Sequence, residues 1–293
     1  MRLWRLAFGL GTVLAMFEVG TATVAVSAAQ HGDDEGQSRY LALGDSGPFG
    51  YITQAGFEYL NADNFVGYPA YVGHALRLNP ADASCPGETS GSFLSTSAED
   101  NGCRAHRSRA PLHVGYTSTQ LQYATAFLMA RRETRLVTIT LGANDLFLLR
   151  RSCGGDPDCI VAHLPEALAN IGMNMDTILS SLRATGFERA IVVANYYSVD
   201  YNDALQTRIT QLLNQTLSSA AAAHGAVIAD AFSAFRDAVS TPFAAGSPCR
   251  AGLLNALPAD QFLCDIHPSQ SGHRLIAKTA ERAARRGMRD DTD

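Results

Sequence analysis

Leu136-Val137-Thr138-Ile139-Thr140-Leu141, running straight into Gly142-Ala143-Asn144-Asp145, is the stretch on which the fold turns. A short β-branched run of this kind suits a parallel strand buried on both faces. Arg39 to Leu43 reads as an earlier strand, and Ala190 to Ala194 (AIVVA) and Ala226 to Ala229 (AVIA) as later ones. Between them Leu164, Leu168, Ile171, Met175, Ile178 and Leu182 recur at steps of four and three, one stripe of a helix ended by Gly186. Leu205, Ile209, Leu212, Thr216, Leu217 and Ala220 make a second stripe, stopped by His224-Gly225. Such stripes are packing faces and carry no chemistry. Strand and helix alternating at this spacing predict a three-layer α/β/α sandwich around a doubly wound, mainly parallel sheet. In an open sheet the ligand crevice lies beyond the carboxyl ends of the strands. The long segments 48–68 and 81–112, rich in Gly, Ser and Asn, are expected to be loops, and loops of that length in a compact domain are more often functional than idle.

The first strand ends in Gly44-Asp45-Ser46-Gly47. A serine at a strand's carboxyl end, flanked by glycines, presents its hydroxyl beside a backbone N–H, as a nucleophile needs; the same residues also describe an ordinary turn. The G-x-S-x-G elbow does not fit, because Pro48 stands where its second glycine would be. Asn144 follows the central strand and either aims an amide N–H at the same crevice or, with Asp145, caps the next helix. Gly87, just after Cys85-Pro86, is placed to offer a further backbone N–H from a loop held by a half-cystine. A serine needs a base. Of the eight histidines, His31, His106 and His113 lie in polar stretches, while His74, His163 and His224 sit in or beside helices. His267 stands in Cys264-Asp265-Ile266-His267-Pro268, stiffened by a half-cystine and a proline, just before a helix from Gly272 to Arg286 in which His273 reads as structural.

Composition narrows the chemistry. Of the 23 basic residues only Lys278 is a lysine, so mechanisms built on a Schiff-base, P-loop or Ser-Lys lysine are set aside. A formal net charge of −5 provides no basic field for nucleic acid. The Arg282, Arg285, Arg286 and Arg289 group reads as a solvated helix end, and the Asn214-Gln215-Thr216 sequon falls in a helix.

Residues 1–28 open with Arg2 and Arg5, pass through an apolar run broken by Glu18, and close in Val26-Ser27-Ala28: the order of a secretory signal cleaved after Ala28 or Ala29. The competing membrane anchor fits less well, because Glu18 sits inside so short a run. A secreted, extracellular protein without stable membrane insertion is therefore expected, with mature charge −6 and about 265 residues. The expected division is a signal peptide at 1–28, a polar lead-in at 29–38, one domain at 39–289 and an acidic tail at 290–293. The six cysteines allow fifteen pairings. Their three local clusters favour Cys85 with Cys103, Cys153 with Cys159 and Cys249 with Cys264. No C-x-x-C, H-E-x-x-H or histidine-rich cluster points to a metal, and no cofactor is expected.

Gly44-Asp45-Ser46, the isolated Gly87, Gly142-Ala143-Asn144-Asp145 and Asp265-Ile266-His267-Pro268 together resemble, in order, the four blocks of the SGNH (GDSL-type) hydrolases, over about residues 39–280. The resemblance implies the flavodoxin-like fold of that family and an acyl-enzyme on Ser46. It implies an oxyanion hole from Ser46 N–H, Gly87 N–H and the Asn144 amide, with His267 as base and then acid. One position departs: the family's acid lies three residues before the histidine, where this chain has Cys264, and the nearest carboxylate is Asp265. Either Asp265 or the main-chain carbonyl of Cys264 would then orient His267.

The reading is a secreted serine esterase or lipase acting on lipid or fatty-acyl esters. Its acyl wall would come from Phe49, Tyr51, Phe57, Tyr59, Phe65 and Tyr68 with Phe147-Leu148-Leu149, unless these aromatics only pack the loop. The alternatives are a carbohydrate esterase or acyltransferase on polysaccharide and, more remotely, a non-catalytic binding protein. The sequence says nothing of oligomeric state.

Overall fold

The computed structural model describes residues 39–53, 55–257 and 260–290; the expected signal peptide, the lead-in and residues 291–293 lie outside them. The first half runs β1 (Arg39–Gly44), α1 (Ser46–Phe49), α2 (Tyr68–Leu76), β2 (Asn79–Asp82), α3 (Ser90–Leu94), α4 (Cys103–Arg107), α5 (Gln120–Ala130) and β3 (Thr134–Thr140). There follow α6 (Ala143–Ser152), α7 (Pro157–Ala184), β4 (Ala190–Ala194), α8 (Ala204–Ala223), β5 (Val227–Ala229) and α9 (Ala231–Ala238). The chain closes with β6 (Leu254–Leu257), β7 (Asp260–Pro268) and α10 (Gln270–Asp290).

Five strands form one parallel sheet in the order β2-β1-β3-β4-β5. The expected α/β sandwich is what the chain adopts. Strand alternation divides the interior into two cores. Tyr40, Ala42, Leu136, Ala190, Val192 and Ala194 face α2, α9 and α10, whereas Leu41, Leu43, Val137, Ile139, Ile191 and Val193 face α5, α7 and α8. The α7 stripe is buried at Leu164, Ile171, Met175, Ile178 and Leu182, and α8 buries Leu213, Leu217 and Ala220. On the opposite face α10 presents Ile276, Ala277, Ala280, Ala283 and Ala284. Small side chains there let that helix lie close to the sheet.

Several features differ from the expectation. The segment Asn79-Pro80-Ala81-Asp82, whose last two residues open the expected loop 81–112, is the edge strand β2. An edge tolerates Pro80 because its missing N–H faces no partner strand. His267 stands not in a loop but on β7, which pairs antiparallel with β6 in a hairpin separate from the main sheet. The segment 48–68 holds α1 and two short 3₁₀ turns, and 81–112 holds α3 and α4, so both are more structured than loops. The last helix runs two residues earlier and four later than Gly272 to Arg286. Among the described residues no helix is long and apolar enough to cross a membrane.

Candidate active site

Strand order reverses between β1 and β3, and the residues just beyond their carboxyl ends flank the crevice that the reversal opens. At the end of β1, Gly44 has φ +126°, and a Cβ there would stand 1.9 Å from Thr140 O. Only glycine allows that approach. Asp45 N–H donates to Thr140 O at 3.1 Å, and Gln120 holds both sides of Gly44, accepting from its N–H at 2.5 Å and donating to its carbonyl at 3.0 Å. Ser46 opens α1, whose N-cap is Asp45, with Oδ1 taking the Gly47 N–H at 2.9 Å. The other carboxylate oxygen accepts from Tyr196 Oη at 2.5 Å. Burial pushes the Asp45 carboxyl up to about 6, against the opposing pull of Tyr196 and Gly47.

β7 brings the base. Successive strand residues point to opposite sides, so Asp265 and His267 share a face while Cys264 turns away to bond Cys249. A two-residue offset that is indeterminate in a loop is thereby well placed on a strand. His267 Nδ1 donates to Asp265 Oδ2 at 2.8 Å, which leaves Nε2 as the acceptor facing Ser46 Oγ at 3.0 Å. Thr53 N–H also donates to Asp265 Oδ2, at 3.1 Å, so the segment after α1 returns to grip the acid. The Tyr51 ring meets the imidazole edge to face, centroids 5.0 Å apart. Burial works against ionisation of Asp265, but the bonds from His267 and Thr53 outweigh it and hold its carboxyl down at about 2.

Asn144 is buried in the first turn of α6. Its Nδ2 donates to Glu88 O at 3.0 Å and its Oδ1 accepts from Asn101 Nδ2 at 2.9 Å. Neither it nor Asp145 caps α6, whose N-cap is Gly142 without a side-chain bond. Asp145 instead takes Ser90 N–H at 2.9 Å and Ser90 Oγ–H at 2.6 Å, satisfying the start of α3. Gly87 is buried with φ +86°, and a Cβ there would meet Asn101 O at 2.6 Å. Its neighbour Glu88, driven up to about 7 by burial, bonds Ser92 and Gln120.

Ser46, Asn144 and His267 line one cavity of about 500 Å³, with Leu146, Phe147, Leu149, Ile160, Leu164 and Ile209 among its apolar walls. Gly87 is not among the lining residues; the carbonyl of its neighbour Glu88 accepts from Asn144. Of the aromatics expected to form an acyl wall, Tyr68 and Phe147 line the cavity. Phe49 and Phe65 are buried in a separate cluster with Tyr51 and Tyr59 against them, and Phe57 is exposed. Phe49, Phe65, Tyr51 and Tyr59 therefore pack the loop, and helices supply most of the wall.

The disulfides join Cys85 to Cys103, Cys153 to Cys159 and Cys249 to Cys264. The one cluster with metal-ligand spacing among the described residues is Cys85, Glu88 and Cys103, and both of its sulfurs belong to one disulfide. Of the other histidines, His224 bonds Asp176 and His113 bonds the Phe49 carbonyl. His273 is buried and held neutral, its ring pushed down to about 3 by burial and by the nearby His267. Sequence reading missed Thr53, Asn101, Gln120 and Tyr196. Only Tyr196 carried a usable signal, its place just past the carboxyl end of β4.

The model of the GDSL-like lipase/acylhydrolase family matches residues 42–275. No curated protein matches the chain. Among solved structures it is similar to a phospholipase A1 from Streptomyces albidoflavus, at 18% identity over 83% of this chain and 99% of that one, TM-score 0.52. It is likewise similar to an acetylxylan esterase from Geobacillus stearothermophilus, at 16% identity over 84% of this chain and 94% of that one, TM-score 0.51. At such identities the likeness is one of fold.

Proposed function

Because the chain belongs to the GDSL-like lipase/acylhydrolase family and is thus a hydrolase of ester bonds, we propose that it is a secreted serine esterase acting on lipid or fatty-acyl esters through an acyl-enzyme on Ser46. The observation that carries this reading is the unbroken chain Asp265–His267–Ser46, with links of 2.8 and 3.0 Å. Ser46 Oγ attacks the ester carbonyl as its proton passes to His267 Nε2. Asp265 holds the ring and steadies the imidazolium that forms. The tetrahedral oxyanion is met by Ser46 N–H, Gly87 N–H and Asn144 Nδ2, each such donor being worth about 3–4 kcal/mol. His267 then protonates the leaving alcohol, and water, activated by the same imidazole, releases the acid.

The phospholipase and the acetylxylan esterase share this fold, so the fold does not choose between lipid and sugar esters. The walls favour lipid. Leu146, Phe147, Leu149, Ile160, Leu164 and Ile209 offer an acyl chain an apolar surface running from Ser46. Export through residues 1–28 is supported by the three disulfides, which persist in oxidising compartments.

A fluorophosphonate probe is expected to modify Ser46 in the oxidised protein and not the Ser46→Ala variant. An unlabelled Ser46 defeats the mechanism. A series of p-nitrophenyl esters from acetate to palmitate is expected to peak in kcat/KM beyond acetate. A maximum at acetate, with activity on acetylated polysaccharide, points to the sugar-ester alternative.

A further inference from the structure

Asn101 bonds both residues proposed to flank the oxyanion, Gly87 in its loop and Asn144 on α6. Its backbone N–H donates to Gly87 O at 2.8 Å, and its Nδ2 donates to Asn144 Oδ1 at 2.9 Å. The Cys85–Cys103 disulfide closes the loop that carries it. Behind it, exposed Arg151 donates from Nη1 to Asn101 Oδ1 at 3.1 Å and from Nη2 to Glu99 Oε1 at 2.7 Å.

These bonds form a chain with a direction. A carboxamide has a donor end and an acceptor end of nearly the same shape, and turning it over exchanges them. At Asn144 the exchange reverses the effect on catalysis: the NH₂ group stabilises an oxyanion, and the carbonyl oxygen repels it. A guanidinium has no acceptor, so Arg151 can face only an oxygen. It therefore fixes Asn101 with Oδ1 toward itself and Nδ2 toward Asn144, and that donor in turn fixes Asn144 with Oδ1 toward Asn101. Glu88 O, an obligate acceptor, takes one Nδ2 hydrogen and demands the same orientation.

We infer that Asn101, polarised by Arg151, is a positioning residue that sets the sense of the Asn144 amide, so that its remaining Nδ2 hydrogen faces the reacting ester oxygen. The inference rests on the ester-hydrolase reading above and adds to it a residue 43 positions from the group it orients.

The test compares Asn101→Ala, Asn101→Asp, Arg151→Ala and Asn144→Ala in full-length protein, measuring kcat and KM on p-nitrophenyl butyrate, the melting temperature and the Asn144 side-chain ¹H–¹⁵N signals. Asn101→Ala is expected to lower kcat about tenfold with KM nearly unchanged. Asn101→Asp, although closer in shape, is expected to lower it further, toward the loss of about a hundredfold or more of Asn144→Ala. Its carboxylate accepts from Nδ2 and so turns the Asn144 oxygen toward the substrate. Arg151→Ala, which leaves the core intact, lowers kcat by about threefold. A purely structural role ranks the variants the other way, with the isosteric Asn101→Asp the milder. That ranking, or losses that follow the melting temperature, overturns the inference. If the unaltered protein neither labels at Ser46 nor hydrolyses esters, the functional reading fails instead, and the amide signals decide positioning alone: Asn144 Nδ2 resonances identical in wild type and Asn101→Asp overturn it.

Discussion

His267 meets a carboxylate at a spacing of two residues instead of three, and Asp265 carries the consequence. Its Oδ2 takes two donors, and its carboxyl is held down at about 2, so it is ionised near neutral pH. Substituting Asp265→Asn preserves the shape but offers His267 Nδ1 an amide in place of a full charge, with no energetic preference for the tautomer that leaves Nε2 basic. In triads of this kind the change costs about 10⁴ in kcat. A loss of about 10³–10⁴ with little change in KM is expected from steady-state kinetics. Retention of most of the activity would mean that the Cys264 carbonyl orients the ring. Asp45 shows the opposite balance, because burial there outweighs its hydrogen bonds. One chain thus sets two carboxyls near one serine far apart by environment.

At the scale of elements, the hairpin of β6 and β7 stands outside the main sheet yet carries both His267 and Asp265. The Cys249–Cys264 bridge, spanning 15 residues, anchors it beside Asp265. A crosslink closing a loop of that length contributes about 3 kcal/mol. Replacing both cysteines by serine is expected to cost about 2–4 kcal/mol in denaturant unfolding and to lower kcat on every ester, since the strand holding acid and base loses its anchor. Cys153–Cys159 closes only 6 residues and joins the end of α6 to the start of α7, which wall the cavity. Its removal is expected to destabilise the fold less and to act mainly on long-chain esters. Equal losses on acetate and palmitate esters in that variant would sink the assignment of α6 and α7 to the acyl chain.

For the whole molecule the buried carboxyls set the direction of the pH dependence. Asp45 and Glu88 are raised by burial to about 6 and about 7. A carboxyl whose pKa is higher folded than unfolded binds protons more tightly in the native state. The stability it contributes is complete below the unfolded value near 4 and is lost as pH rises through 6 to 7. Asp265, lowered to about 2, acts in the opposite sense only as pH falls from about 4 through 2, outside that window, whereas buried His273, lowered to about 3, opposes the two carboxyls within it and offsets part of their effect. Thermal unfolding is therefore expected at higher temperature at pH 5 than at pH 8. The double variant Asp45→Asn, Glu88→Gln is expected to narrow the difference by several degrees; an unchanged difference would show that these two groups do not govern it.

The sequence by itself determined the sheet strands β1, β3, β4 and β5, the helices α7 and α8, and the candidate residues Ser46, Asn144 and His267. Each of these shows in its own neighbourhood, as a period of residues or as the chemistry of a strand's end. The edge strand β2 did not show, because pairing with the distant β1 is what makes Pro80 part of a strand at all, and the β6–β7 hairpin did not show because register shifts interrupt its pairing. Whether Asp265 can reach His267 depended on β7, since only its alternation puts positions two apart on one face. The bonds of Asn101, Gln120 and Tyr196 were not legible either, although the place of Tyr196 just past β4 was a signal. Their partners lie 43, 76 and 151 residues away, at separations that only the tertiary fold turns into hydrogen bonds.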